Sequence, residues 1–170
     1  MKTARPLNRS TGVVGIAAAL LALSACGGSS LGGSAVPADA FAGDWSFTSG
    51  SIMPMCSANV SDIALQGNAA TITKTDASHI KLLIATADVM CNVMFSVSGS
   101  TATIEAAQTC MINADNQSAT VDITTWTLTS SAAGISMSMA GTANVVIITC
   151  NPTATGMMVK VGGADAAAGG

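Results

Sequence analysis

The sequence predicts an all-β domain, an antiparallel meander of about nine strands that closes as a barrel or stacks as a β-sandwich and is held by two disulfides. Three observations predict it. Apolar and polar residues alternate with period two in segment after segment beyond residue 40. Serine, threonine and asparagine supply most of the polar positions while lysine and glutamate are scarce, the composition of exposed strand faces rather than of helices. Glycine, serine and asparagine separate many of the segments at intervals that suit short turns.

In Asp44 to Ile52 the alternation puts Trp45 and Phe47 on one side. Ala70 and Ile72 oppose Thr71 and Thr73 in Ala69 to Thr75. From His79 to Thr86, Ile80, Leu82 and Ile84 form one face and leave His79 and Lys81 on the other. Cys91, Val93, Phe95 and Val97 share a face in Cys91 to Ser98, and Ile135, Met137 and Met139 alternate with Ser136 and Ser138. Half-buried antiparallel strands carry this pattern. Val145 to Cys150 is apolar on both sides and is expected as a central strand. Between Thr120 and Thr129 the apolar set moves from odd positions (Val121, Ile123) to even ones (Trp126, Leu128), which requires a one-residue bulge near Thr124 and Thr125.

Residues 1–25 have the regions of a secretory signal: Lys2, Arg5 and Arg9, then an apolar run from Val13 to Leu23, shorter than the about 20 apolar residues that cross a bilayer. Leu23-Ser24-Ala25-Cys26 closes it. This stretch resembles the lipobox of bacterial lipoprotein (type II) signal peptides. The resemblance implies cleavage before Cys26, a diacylglycerol group on its thiol and an N-acyl chain on the new terminus. It also implies sorting to the outer membrane, because Gly27 stands where aspartate would retain the protein at the inner one. Residues 26–40, mostly Gly, Ser and Ala with Pro37, read as the acylated cysteine and a flexible tether. Residues 41–161 read as one domain and 162–170 as a disordered tail.

Beyond the signal the chain keeps three lysines, Lys74, Lys81 and Lys160, against nine acidic residues, a formal charge of −6, and it has no arginine. Nucleic acid is thereby disfavoured as a partner, since phosphate neutralisation needs a basic patch. The membrane link is expected through the lipid anchor only.

Four cysteines remain after Cys26, an even number in an exported chain, and they read as a disulfide framework. Folding Cys91 to Ser98 and Thr101 to Cys110 about Gly99-Ser100 brings Cys91 opposite Cys110, both facing inward, and leaves Cys56 for Cys150. A zinc site is the rival. Its usual Cys-x2-4-Cys pairs are missing from spacings of 35, 19 and 40.

Catalytic residues are not identified. His79 is the one histidine, set on a polar face without a visible partner, no Gly-x-Ser-x-Gly elbow occurs, and the carboxylates are scattered. The aspartates fall mostly near turns, where they bond their own backbone. Methionine is unusually frequent, with near repeats at Met53-Pro54-Met55 and Met137-Ser138-Met139. Such clusters resemble those of periplasmic copper carriers, and the thioethers of Met53 and Met55 are the Cu(I) candidates because Pro54 keeps them out of a central strand. Methionine as core filler is the competing explanation.

Phe41-Ala42-Gly43-Asp44-Trp45 carries a Gly-x-Trp at the first strand. It resembles the opening motif of lipocalins and other calycins, whose Trp plugs the closed end of an up-and-down barrel. The usual arginine partner is absent, and Lys160 is the only late basic residue. The function expected is a non-catalytic binding or structural surface module of the cell envelope. The alternative is a lipocalin-like carrier of a small apolar ligand, and the second alternative is Met-based Cu(I) binding. Trp45, Phe47, Phe95, Ile135, Met137 and Met139 are the expected apolar lining. The expected partner is an apolar small molecule or an envelope protein, and no cofactor is expected beyond the acyl groups on Cys26.

Overall fold

The computed structural model describes residues 37–56, 60–106, 108–115, 117–145 and 148–162. The signal, Cys26, most of the tether and the tail beyond Gly162 lie outside the described residues. The described residues open with a 3-10 turn, Pro37–Ala40, followed by β1 (Gly43–Met53), β2 (Ile63–Ala64), β3 (Ala69–Lys74), β4 (His79–Ala85) and β5 (Val89–Ser98). It continues through β6 (Thr101–Ile104), β7 (Gln108–Ala114), β8 (Gln117–Ser131), β9 (Gly134–Val145), β10 (Ile148–Cys150) and β11 (Thr153–Lys160).

All pairings are antiparallel, and they close. Going round, β1 pairs with β3, β3 with β4, β4 with β5, β5 with β6 and β7, these two with β8, β8 with β9, β9 with β11, and β11 returns to β1. Since β6 and β7 occupy successive stretches of one wall position, this is an 8-stranded up-and-down barrel with β2 and β10 as additions at one end. Closure leaves the wall strands without an open edge. The sandwich alternative is thereby removed, and the inward residues predicted by alternation, Trp45 through Met139, form the core.

The seam between β1 and β11 needs two glycines. Gly50 lies opposite Gly156, and a Cβ on Gly50 would sit 2.3 Å from the Thr155 carbonyl oxygen, so no other residue fits where the two backbones cross. A register shift between Phe47 and Ser49 bends β1 at the same place.

At the end where β1 begins, the barrel is plugged. Ala38 and Phe41 are fully buried, and the Trp45 Nε1 donates to the Phe41 carbonyl at 2.8 Å. Lys160 is the cross-strand partner of Trp45 and sets its Nζ 5.7 Å from the ring centroid. Gly43 makes room for it, because a Cβ there would lie 2.6 Å from the Lys160 Cε. The Gly-x-Trp spacing thus has a local reason in this chain.

Both disulfides form as paired from the sequence, Cys91 with Cys110 and Cys56 with Cys150. The second spans 94 positions, a constraint worth on the order of 4–5 kcal/mol in the chain-entropy account. The bulge expected near Thr124 and Thr125 is present as a register shift between Ile123 and Thr125.

Two expectations are corrected. Val145 to Cys150 is not one central strand: Val145 ends β9, Ile148 starts β10, and the two pair across a reversal. The reversal carries no glycine, proline or asparagine in its two connecting positions, so its sequence shows no turn signal. The segment from Thr101 to Cys110 is likewise interrupted, between Ile104 and Gln108. There the Gln108 side chain stands in for a peptide group: its Oε1 accepts from the Met94 N–H at 2.6 Å, and its Nε2 donates to the carbonyls of Met94 at 2.8 Å and Glu105 at 3.0 Å.

Replacing Gln108 with alanine leaves the half-buried Met94 N–H without its acceptor. Denaturant unfolding of Gln108→Ala is expected to lose about 1–3 kcal/mol, and an unchanged midpoint would show that the side chain does not complete the ladder.

Candidate functional site at the mouth of the barrel

The end opposite the Trp45 plug is open and mostly apolar. A cavity of about 210 Å³ lies there, walled by Ile52 and Pro54 from the end of β1, by Ile112 of β7, by Ala119 and Val121 of β8 and by Ala143 of β9. The Cys56–Cys150 disulfide forms part of the rim. Small side chains create the space: alternation aims Val121 and Ala143 inward as a cross-strand pair, and neither reaches far across the barrel. Pro54 and Pro152 end the two strands of the seam beside it and remove ladder donors where no partner strand continues.

A second, shallower groove of about 530 Å³ adjoins the mouth and is polar. Asp62, Asp88 and Asp115 border it together with Asn113. Asn113 organises this rim: its Nδ2 donates to the Ala87 carbonyl at 2.7 Å, and its N–H donates to the Asp88 carbonyl at 2.8 Å. Neither cavity has a lysine on its wall. Lys74 and Lys160 both lie toward the plugged end, where Lys74 pairs with Asp39 at 2.6 Å. The mouth is thus apolar with an acidic border, and a negatively charged ligand would meet repulsion there without a compensating cation.

The six residues expected to line a ligand site, Trp45, Phe47, Phe95, Ile135, Met137 and Met139, are all buried core residues, and none lies on the wall of this cavity. Alternation identifies an inward face but not the height at which packing gives out. Met53 and Met55 are 39% and 63% exposed at the end of β1, and the Met55 sulfur accepts a weak hydrogen bond from the Thr153 hydroxyl at 3.8 Å. Met90 and Met111, cross-strand neighbours on the outer face, are exposed as well. The thioethers of Met137, Met139 and Met158 are buried. Among the described residues no group of three or more His, Cys, Asp or Glu side chains gathers as a metal cluster.

His79 does have partners, contrary to its reading as a lone surface histidine. Its Nδ1 lies 2.8 Å from the Asp76 carboxylate, and its Nε2 lies 3.8 Å from Glu105. Asp76 and His79 are three residues apart in the β3–β4 turn, a spacing that only the turn conformation brings together. Ser78 also touches the same Nδ1, at 3.2 Å, so the hydroxyl is not aligned as a nucleophile against a base held from its far side.

Sequence reasoning placed Trp126 in the core without assigning it a role. Its ring is 2% exposed and meets Phe95 edge-on at 5.7 Å, and among the described residues its Nε1 has no hydrogen-bond acceptor. Leaving such a donor dry costs about 1–3 kcal/mol. Trp45, by contrast, finds the carbonyl of Phe41, which the 3-10 turn leaves free. Trp126 sits mid-wall, paired in the ladder with Met139 of β9.

The Asp76 carboxyl is held below its ordinary value of 3.8, first by the Ser78 N–H that donates to it and then by the His79 ring. A lowered carboxyl stabilises the fold above the unfolded value and loses that contribution as the pH falls through the folded one. NMR titration is expected to place the Asp76 midpoint below 3.8 and, in His79→Ala, to move it part of the way back. A midpoint at or above 3.8 in the wild type would refute the turn geometry.

No protein-family model matches the chain, and neither does any curated protein or solved structure.

Proposed function

We propose that this protein is a lipid-anchored, non-catalytic binding module of the bacterial cell envelope, a lipocalin-like carrier that takes a small neutral apolar ligand, or the apolar end of a larger one, into the mouth of its barrel. The observation that carries the reading is the apolar cavity at the end opposite the plug. Its about 210 Å³ is below the range of pockets that enclose drug-sized ligands, which matches a short apolar segment rather than a whole large molecule.

The direction of the chain supports the anchor. The described residues begin at Pro37 beside the plug, and Val161 returns there to donate its N–H to the Asp44 carbonyl. Pro37, the first described residue, therefore stands at the end away from the mouth. On this reading the mouth faces the aqueous phase and receives its ligand from there, and the outer membrane holds the opposite end through the acyl chains.

Two measurements test the reading. Mass spectrometry of the membrane fraction is expected to find an N-terminal peptide that begins at Cys26 and carries acyl chains; a peptide that starts upstream, or lacks acyl chains, would sink the anchor. A neutral hydrophobic fluorescent probe is expected to bind saturably to the mature Cys26→Ser chain with an affinity independent of salt, because the probe carries no charge to interact with Asp115, the charged residue on the cavity wall. Ala143→Phe projects a ring into the cavity and is expected to weaken that binding about tenfold, equivalent to about 1.4 kcal/mol. Equal binding by Ala143→Phe would place the probe elsewhere.

A further inference from the structure

We infer that the ligand carries a neutral hydrogen-bond acceptor, a ketone, ester or ether oxygen near the leading end of an apolar chain, and that Trp126 Nε1 is the donor that receives it. This rests on the binding reading above and narrows its ligand class.

Among the described residues no polar or charged side chain is buried, and Trp126 Nε1 is the single buried side-chain nitrogen or oxygen without a partner. Buried donors are paired in the great majority of native cases, and an exception asks for a cause. Trp126 lies on the same inward face of β8 as Val121, which lines the cavity.

The path between them is filled by side chains that can repack. On β9 the inward positions run from Ala143 at the cavity, through Gly141, to Met139, the cross-strand partner of Trp126. Four steps along the strand separate Ala143 from Met139, roughly 13 Å, which a medium-length alkyl chain spans. Val121 fills the space beside Gly141, where a Cβ would lie 2.7 Å from the Val121 Cγ1, and Met139 is a flexible thioether that repacks more readily than a branched residue. Ile123 is the remaining side chain on the β8 side. An apolar chain that enters the mouth, turns Val121 and Ile123 aside and displaces Met139 therefore reaches the indole.

The charge state of the acceptor follows from what surrounds it. With no cation on the cavity wall and an acidic rim at the mouth, a carboxylate or phosphate would lose hydration without a counter-charge. A neutral oxygen loses far less and gains the one unpaired donor. Hydrocarbons of the same shape would bind without using the indole.

The test uses the mature Cys26→Ser chain and two probes of equal heavy-atom count, 2-nonanone and n-decane, measured by displacement of a hydrophobic fluorophore. Trp126→Phe keeps the aromatic bulk and removes the donor. It is expected to weaken 2-nonanone about 3- to 10-fold and to leave n-decane within about twofold. In the wild type the Trp126 indole N–H proton resonance is expected to move downfield with 2-nonanone and not with n-decane, a readout that needs no variant. Binding of both probes with no dependence on Trp126 and no indole shift would overturn this inference and leave the binding reading intact. Failure of both probes to bind would overturn the binding reading and this inference with it.

Discussion

Closure of the sheet between β1 and β11 is the constraint on which the rest of the molecule depends. Until those strands pair, the meander has two open edges and its apolar face has no interior to line. The seam is made by removing side chains where the backbones cross, at Gly50 and Gly156, and by a bulge that turns β1. Each end of the seam is then held by different chemistry. At the plugged end Lys160 covers Trp45, and Gly43 gives it space. At the mouth the strands part around Pro54 and Pro152, ladder bonds run out, and the Cys56–Cys150 bond continues the connection covalently. The long loop that this disulfide closes lies between the first and last thirds of the domain, so it also limits how far an unfolded chain can open the seam.

Strand irregularities keep the faces in order around the ring. β8 contains an odd insertion near Thr124, and there the inward set changes parity, from Val121 and Ile123 to Trp126 and Leu128. Across the gap between β6 and β7 the offset against β5 is even: Phe95 faces Ile104, while Cys91 faces Cys110. An even offset restores the inward phase, which lets the Cys91–Cys110 disulfide form inside the barrel. It also leaves the Met94 N–H without a backbone acceptor, and the Gln108 amide supplies one.

Much of this was legible in the sequence because period-two alternation reports directly on a face, and a parity slip reports directly on a bulge. The all-β class, the inward residues and both disulfides follow from that one signal together with the Gly99-Ser100 turn. What the sequence did not show depends on contacts between segments far apart in the chain. The reversal after Val145 lacks any turn residue and reads as a continuous apolar strand. The pairing of Asp76, His79 and Glu105 needs a turn from one hairpin and the end of a strand from another. The cavity depends on which inward side chains happen to be small at one height, Ala143 and Ala119 among them, and alternation treats Ala and Trp as equal members of a face. The predicted lining therefore fell in the packed middle of the barrel rather than at its mouth.

The two tryptophans show how the same side chain acquires different meaning from the backbone beside it. A barrel wall consumes most of its carbonyls in ladders, so a buried indole on a mid-strand residue meets few free acceptors. A 3-10 turn at a barrel end leaves carbonyls free, and Trp45 is satisfied there by a residue four positions upstream. The plug is thus complete in itself, with its donor paired, its ring covered and its apolar neighbours buried. The middle of the barrel is not complete in that sense, and it lies on the side of the molecule where the side chains thin out toward the mouth. A fold that pairs its indole donor at one end and leaves the other indole unpaired at mid-wall is asymmetric along its axis. Burial of apolar surface alone would not produce that asymmetry, because it has no direction along the barrel.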